Sequence, residues 1–338
     1  MEPEGTRRHR RSSAAMITSE SFASLREEWA SLHSETRQAT PFAHPAWHEV
    51  WLRQFGSKAA PVFLSVRVEE KLVGVVPLAM ERDGARILGH AEICDYAGLL
   101  VADGAEAAVA RGALEWLTED LSSRLEAWGV RADQPLAAAF REAADPMGWQ
   151  FSETPEAVSP QLALPSDFER YLSGLSKHTR HELRRKLRNL SAAGTVTFEG
   201  ATDGRAVASE MDRFLHLMRA SHPDKVAFLT PQMEAFLRDL AATFADLGLL
   251  RLSSLKLDGV NIAMTLAFES ADTTFLYNSG YDPAYGHLAA GLIAKVFALR
   301  DSIERGMAVF DFLRGDESYK RDLGGLPVGL VTLTLRQR

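Results

Sequence analysis

Cysteine and long apolar runs are scarce in this chain of 338 residues, and basic residues are fewer than acidic ones. The single cysteine, Cys94, excludes an internal disulfide and a cysteine-rich zinc site. Because its context is apolar, we interpret it as a packing residue and not as a nucleophile. Lysine and arginine number 38 against 45 acidic residues, so the net charge is −7 and bulk attraction to nucleic acid is not expected. No apolar run approaches the roughly 20 residues that a membrane-spanning helix needs.

The N-terminal residues MEPEGTRRHRRSSAAM are basic, but no apolar segment follows them as it would in a signal peptide. We predict a disordered tail over residues 1–17, with a basic targeting or anionic-surface segment as the alternative. The expected location is the cytoplasm. His44 and His48 are four residues apart, yet Pro45 puts His44 at a helix start and away from a shared face. No metal site is therefore expected.

Two strand-rich segments, each followed by helices, indicate two domains. The first has strand patterns within residues 61–101 and a helix pattern over about 105–125. The second has a hairpin pattern over residues 249–268 that leads into a further strand. We predict an α/β (α+β) protein with an N-terminal domain on the acceptor side, residues 18–165, and a C-terminal domain, residues 166–338.

The most informative stretch lies in the C-terminal domain. Its sequence predicts a strand over residues 273–279, a helix over about 287–305 and a short strand over 309–313. Asp316 is expected to cap a last short helix. This order points a helix N-terminus at the end of a strand, where unpaired N–H groups and a partial positive charge suit a pyrophosphate.

Two motifs in this stretch, YDPAYGHLAAG and FDFLRGDESYK, resemble the CelD-like branch of the GNAT acyltransferases, which are relatives of the FemXAB-type transferases. The segments ATPFAHPAWHEVWLRQFG, KLVGVVPLAM and DYAGLLV are also similar to that family, so the resemblance covers most of the chain. It implies two tandem GNAT-like domains, with mixed, mostly antiparallel sheets flanked by helices, and acetyl-CoA or another acyl-CoA bound by the C-terminal domain. His287 and Ala290 stand where a Ser-Pro-type helix start is more typical. The residues assigned to the donor are Asn278, Ser279, Tyr285, Gly286, His287, Leu288, Ala289, Ala290 and Gly291.

The resemblance also implies roles for Tyr319 and Lys320 on the last short helix. Many GNAT relatives keep a general acid where Tyr319 stands, and a phenol can protonate a departing thiolate. The alternative is that Tyr319 packs against Phe312. Lys320 completes the family's Tyr-Lys pair and would stabilise charge on the donor phosphate or at the reaction centre.

Two acidic residues are further catalytic candidates. Asp311, expected to be buried between two phenylalanines, either pairs with Lys320 or Arg314 or acts on the acceptor. Asp95, followed by Tyr96, begins an N-terminal strand where the relatives bring an acidic group toward the acceptor amine. A plain strand-end cap is the other interpretation of Asp95. Tyr96 and Arg314 are assigned to substrate or anion binding.

A strongly basic helix is predicted at residues 177–188, in an otherwise acidic chain. Arg180 and Arg184 fall within one stripe of it. We interpret this stripe either as a solvated face or as an anion surface for a phosphorylated substrate or the donor phosphates. The loop at residues 222–225 is expected to line the acceptor pocket.

Three classes of function remain open at this point. The first is an acyl-CoA-dependent N- or O-acyltransferase acting on a sugar, amino sugar or small amine, with polysaccharide biosynthesis as a context. The second is a FemXAB-like transferase that uses aminoacyl-tRNA; the acidic chain argues against it, while the basic helix leaves it open. The third is a non-catalytic accessory protein of polysaccharide synthesis. The chain is expected to be a monomer or homodimer.

Overall fold

A computed structural model describes residues 15–90, 92–120, 122–201 and 203–338. In this described part of the chain, thirteen strands form one mixed sheet. The strands are β1 (Met16–Glu20), β2 (Pro61–Val68), β3 (Lys71–Glu81), β4 (Gly84–Ile87), β5 (Leu100–Val101), β6 (Arg124–Arg131), β7 (Trp149–Ala163), β8 (Val196–Ala201), β9 (Leu250–Leu257), β10 (Val260–Ser270), β11 (Thr273–Tyr281), β12 (Val309–Asp311) and β13 (Leu326–Gln337). Of the predicted tail, residues 1–14 lie outside the described residues, whereas Met16 and Ile17 belong to β1.

The helices pack on both faces of this sheet. They are α1 (Phe22–Glu35), α2 (Pro45–Phe55), α3 (Glu106–Glu119), α4 (Leu136–Ala144), α5 (Phe168–Gly174), α6 (Lys177–Ala193), α7 (Gly204–Ser221), α8 (Pro223–Phe228), α9 (Pro231–Asp246), α10 (Ala290–Glu304) and α11 (Ser318–Asp322). Short 3-10 helices cover Pro41–Ala43, Gly56–Lys58, Asp145–Met147 and Pro283–Leu288. Among the described residues, no helix is long and apolar enough to cross a membrane.

The order of the strands shows how the two halves of the chain become one sheet. The order is β1-β2-β3-β4-β6-β13-β7-β12-β11-β10-β9-β8, with β5 beside β3. The final strand of the chain, β13, pairs with β6, while β7 pairs with β12. Each half therefore places its last strand next to the other half, and β7 and β13 also pair with each other. The mixed, mostly antiparallel sheet flanked by helices is confirmed, but the expectation of two separate sheets is wrong.

The two halves repeat one arrangement of strands and helix. In the N-terminal half, β4 and β6 are parallel neighbours, and α3 lies between them in sequence. In the C-terminal half, β11 and β12 are parallel neighbours with α10 between them in sequence. A parallel pair needs a crossover connection of this kind. The duplication is structural, since no repeat is visible in the sequence.

The alternation of side chains along the strands divides the core into two faces. Phe63 contributes to the face covered by α1, α2, α7 and α9, and Leu64 contributes to the opposite face, over which α3 and α4 pack. Helices α5, α6 and α10 cover the second face in the C-terminal half. On the first face, Trp47 of α2 contacts Phe236 and Phe244 of α9 edge to face, so aromatic packing joins the two halves.

One predicted boundary differs clearly from the structure. The helix expected over about residues 105–125 ends at Glu119, and the chain then enters β6 at Arg124. Leu125 of β6 pairs with Leu335 of the final strand. That partner is distant in the sequence, so local periodicity gives no sign of it.

Candidate active site

A gap opens in the sheet between β11 and β12. These strands pair over three positions, from Thr273 with Val309 to Phe275 with Asp311. Beyond this point β11 continues to Tyr281, whereas β12 ends at Asp311. The second half of β11 therefore has no pairing with β12, which leaves its backbone groups on that side available to a ligand.

The shape of β11 at the gap is set by a bulge and a close helix contact. Leu266 of β10 pairs with Asn278, and the next residue of β10 pairs with Leu276, so Tyr277 is an extra residue in β11. Bulges of this kind re-aim side chains and are common next to active sites. Further along, a Cβ atom on Gly280 would lie 2.3 Å from the backbone N of Met218. Glycine there allows α7 to pack directly on β11.

One end of the gap is formed by the loop assigned to the donor pyrophosphate. The predicted helix start at His287 is wrong by about a turn, because Pro283–Leu288 forms a 3-10 helix and α10 begins at Ala290. Ala289 lies between them with φ 56° and ψ 36°, a left-handed conformation. The first N–H groups of α10 have no partner within the helix, so this turn can accept an anion.

The two glycines of this loop have different surroundings. A Cβ atom on Gly286 would have no atom within 4 Å, whereas one on Gly291 would lie 2.8 Å from the ring of Tyr281. Gly286 therefore borders open space, and Gly291 is needed for packing against β11. Of the other assigned residues, His287 is exposed and its Nδ1 lies 3.1 Å from the carbonyl oxygen of Ala284.

At the other end of the gap lies the carboxylate of Asp311, which is fully buried between Phe310 and Phe312 as expected. Among the described residues, it forms no ion pair with a lysine or arginine. Instead it accepts hydrogen bonds from four donors: the Tyr96 hydroxyl at 2.6 Å, the Gln161 amide at 2.8 Å, the Ser159 hydroxyl at 3.0 Å and the Leu313 N–H at 2.7 Å. Burial raises the pKa of Asp311, and these donors favour its ionised form.

Asp95 is partly buried and lies close to Asp311 and to the backbone N–H of Arg314. Burial and the negative charge of Asp311 raise the pKa of Asp95 to about 7, against the opposing effect of Lys320 and Arg314. A carboxylate with a pKa near neutrality is suited to accept a proton from an amine or hydroxyl. The structure therefore brings Asp95, Tyr96 and Asp311 together.

Lys320 is buried, with 2% of its surface exposed, and its ammonium is fully engaged by the loop before α11. Its Nζ donates to the carbonyl oxygens of Leu313 at 2.9 Å and Arg314 at 2.7 Å, and lies 2.9 Å from Glu317 Oε2. A lysine has three N–H donors, so this set accounts for all of them. Lys320 thus holds the loop whose Arg314 N–H contacts Asp95.

Tyr319 packs on the face of the sheet that carries α10. Its ring meets Phe312 edge to face at 6.4 Å, and Lys295 Nζ lies 5.0 Å from its centre. Burial raises the pKa of the Tyr319 phenol, and Glu317 adds to this effect. Lys295 also donates to the carbonyl oxygen of Gly291 at 3.0 Å, and burial together with the charge of Lys225 lowers its pKa to about 8.

Lys225, in the predicted acceptor loop, reaches the second half of β11. Its Nζ donates to Asn278 Oδ1 at 3.0 Å and to the carbonyl oxygen of Ser279. Burial lowers the pKa of Lys225 to about 8, partly offset by Glu317. Sequence reasoning missed Lys225 and Lys295 as individual candidates. The available signal for Lys295 was a cation flanked on both sides by apolar residues of a helix.

The arginines assigned to anion binding lie in different places. Arg180 donates to the carbonyl oxygen of Ser173 at 3.0 Å, and Arg184 pairs with Glu169 at 2.8 Å on the exposed side of α6. Helix α6 packs against the Pro283–Leu288 turn, whereas Arg184 and Arg188 on its basic side lie beside Arg300 in the last part of α10.

Arg314 does not lie near α6 but next to β7, the strand of the N-terminal half that pairs with β12. It pairs with Glu156 of β7 at 2.5 Å. Its Nη1 is a buried atom for which the described residues supply no hydrogen-bond partner.

A cavity of about 620 Å³ lies beside the Asp311 network. Tyr96 and Gln161 line it, and both contact Asp311. The donor loop does not line this cavity. The other polar residues that line the cavity include Arg37, Gln38, Thr40, Asp103, Glu106, Arg131, Gln134 and Asp272. Among the described residues, no group of three or more His, Cys, Asp or Glu side chains is arranged to hold a metal ion.

The comparison with known families bears on the C-terminal half. The family model described as "Acetyltransferase (GNAT) domain" matches residues 177–321. This range contains α6, the parallel pair β11 and β12, the donor loop and all but the last residue of α11. The search of curated proteins finds no match. Residues 177–321 thus match a GNAT-type acetyltransferase domain, and the CelD-like character of the chain stays a prediction.

Solved structures similar to this chain extend over both halves. FemX aligns with a TM-score of 0.68 at 10% identity, covering 94% of this chain and 96% of FemX. A conserved protein of unknown function from Bacteroides thetaiotaomicron aligns with a TM-score of 0.64 at 15% identity, covering 95% of this chain and 100% of that one. The C-terminal domain of a protein described as a lysylphosphatidylglycerol synthetase, from Agrobacterium fabrum, aligns with a TM-score of 0.59 at 11% identity, with coverage of 93% and 92%. At such low identity these likenesses establish the fold alone.

Proposed function

We propose that this protein is an acyl-CoA-dependent N- or O-acyltransferase that acts on a sugar, amino sugar or small amine. The observation that carries the proposal is the gap beyond Phe275 and Asp311, which has a helix N-terminus at one end and Asp95 at the other. A thioester donor needs an anion site for its pyrophosphate, and an acyl acceptor needs a group that takes its proton. The gap offers both.

The donor loop, residues 286–291, would hold the pyrophosphate of acyl-CoA. It fits that group because Gly286 leaves the loop open and the first turn of α10 presents unpaired N–H groups. Backbone groups around Asn278 and Ser279, on the splayed part of β11, would polarise the thioester carbonyl.

On the acceptor side, Asp95 would orient the nucleophile and take its proton. Burial, together with the neighbouring carboxylate of Asp311, holds the pKa of Asp95 near neutrality. Lys320 acts as a positioning residue, because it fixes the loop that contacts Asp95. Tyr319 would donate a proton to the leaving thiolate.

The cavity beside Tyr96 and Gln161 is proposed as the acceptor pocket. Its lining alternates charged side chains, amides and hydroxyls, which can bond the many hydroxyl groups of a saccharide. Its volume lies within the range usual for small-molecule sites. The CelD-like resemblance supports a role in polysaccharide biosynthesis.

Binding of CoA to matched glycine variants tests the donor site. Gly286→Glu places a carboxylate in the open space of the donor loop and should weaken CoA binding by roughly tenfold or more. Gly174→Glu adds the same charge at the end of α5, where a Cβ atom also has open space, and should leave binding unchanged. Titration calorimetry measures both. Equal affinities in the two variants would show that residues 286–291 do not bind the donor.

Gly291 is a poor choice for the same experiment. A glutamate there would collide with the Tyr281 ring before it met any ligand, so loss of binding would report disturbed packing.

Transfer from aminoacyl-tRNA is the second candidate function. One observation favours it: Lys225, Lys295 and Lys320 all lie near Glu317 at the gap, and such a local group of lysines suits a nucleic acid end. Retention of tRNA on the purified protein, without a thermal shift by CoA, would favour this alternative. A protein that binds neither would fit an accessory role without catalysis.

A further inference from the structure

Lys225 is placed where an acyl acceptor would stand. Lys225 belongs to α8, which follows α7 in the chain. Helix α7 packs on β11, on the same face of the sheet as Tyr96. From there the Nζ of Lys225 reaches Asn278 Oδ1 at 3.0 Å and the carbonyl oxygen of Ser279. These two residues belong to the stretch of β11 that the proposed function assigns to the thioester.

The surroundings of Lys225 favour its nucleophilic form. The side chain is partly buried, and burial lowers its pKa to about 8. At pH 7 roughly a tenth of the amines then lack a proton, far more than for a lysine with a pKa near 10.4. Lys295 stands close enough for the two charges to repel, while Glu317 is the acidic group that opposes the effect.

We propose that Lys225 is a site of self-acylation, at which the bound acyl-CoA transfers its acyl group to the lysine amine. This inference rests on the proposed function, since it needs acyl-CoA in the gap. The neutral amine attacks the thioester carbonyl, a C–N bond forms and the C–S bond breaks. The proton lost by the amine ends on the thiolate, so the products are acyl-lysine and CoA.

The product would close the site. An acylated Lys225 has no positive charge and carries extra atoms in the gap, next to Asn278 and Ser279. An acceptor that fills its pocket would compete with Lys225 for the acyl group. Self-acylation would therefore switch the protein off when donor is abundant and acceptor is scarce.

The test uses acetyl-CoA as the probe and peptide mass spectrometry as the measurement. The full chain is incubated with acetyl-CoA, and the rate of acetylation at Lys225 is compared with that at Lys71, whose side chain is 73% exposed. We expect Lys225 to react roughly tenfold faster or more, because the donor and the amine are held together. In Lys225→Arg, the fast-reacting site should be lost.

The Gly286→Glu variant separates catalysed from chemical acetylation. It should slow Lys225 about as much as it weakens CoA binding and leave Lys71 unchanged. If CoA binds but Lys225 reacts no faster than Lys71, the inference is overturned while the proposed function stands. If Lys225 reacts equally fast in Gly286→Glu despite weakened binding, the reaction does not depend on the donor site and the inference is also overturned. If CoA does not bind at all, both fall together.

Discussion

The hydroxyl of Tyr96 donates a hydrogen bond of 2.6 Å to the carboxylate of Asp311, although the two residues are 215 positions apart in the sequence. Both are buried, and this contact joins the N-terminal half of the chain to the strand that borders the gap. The contact matters chemically because Asp311 acts together with burial to raise the pKa of the neighbouring Asp95. The two halves thus share one proton-accepting site.

Replacing Asp95 by asparagine should stabilise the protein at high pH. The pKa of Asp95 rises from 3.8 to about 7 on folding, so its ionisation destabilises the folded state progressively as pH rises from about 4 to 7. Each pKa unit corresponds to about 1.4 kcal/mol, so the gain in Asp95→Asn is about 1–4 kcal/mol at pH 8 and small at pH 4. Denaturant unfolding at both pH values measures it. A gain that does not grow with pH would contradict the raised pKa.

The Asp311→Asn variant should shift the pH dependence of activity to lower pH. Removing the negative charge beside Asp95 lowers the pKa of Asp95, so the rising limb of kcat/KM against pH moves toward acid. The same change should cost about 2–5 kcal/mol of stability, since it disturbs a buried network of four donors. Lower stability with an unmoved pH profile would leave Asp311 with a purely structural role.

Lys320→Ala should lose more activity than Tyr319→Phe. The lysine fixes the loop that contacts Asp95 and lowers the pKa of that carboxyl, so its removal should cost roughly ten- to a hundredfold in kcat/KM and move the pH profile to higher pH. Tyr319→Phe should cost less, because water can protonate a thiolate. Near-normal kcat/KM in Lys320→Ala would leave the Tyr-Lys motif a packing feature.

Glu156→Gln should weaken the contacts that join β7 to β6 and β13. The carboxylate accepts the Gly129 N–H at 2.8 Å and the Thr332 hydroxyl at 2.9 Å, and pairs with Arg314. These contacts lower its pKa despite burial, so its contribution is present above about pH 4.5 and is lost as pH falls through the lowered value. We expect a loss of about 1–3 kcal/mol at pH 7 that shrinks as pH falls through the lowered pKa of Glu156. The exposed Glu115→Gln serves as the control.

The acetylation of Lys225 should accelerate with pH. Only the neutral amine reacts, so the rate should rise about tenfold per pH unit below 8 and level off above it. Glu317 and Lys295 face this amine from neighbouring elements, while His222 and Asp224 precede it in the chain. Acetylation rates measured between pH 6 and 9 give the profile. A rate that keeps rising toward pH 10 would indicate an amine with an ordinary pKa.

The sequence by itself determined the local framework of the donor half. Periodicity and breakers predicted the strand, helix and short strand over residues 273–313, and the structure has β11, α10 and β12 there. The position of Asp311 between two phenylalanines also predicted its burial. Such features depend on side-chain period and on neighbours a few residues away, which a single sequence displays.

The tertiary structure alone decided how the halves join and what the charged groups do. The exchange of β7 and β13 depends on pairing between strands far apart in the chain, so no local pattern indicated it. The engagement of Lys320 by two carbonyl oxygens and the reach of Lys225 to Ser279 depend on folding of separate loops onto one another. Burial and nearby charge then set the pKa of Asp95, because both are properties of position in space and not of position in sequence.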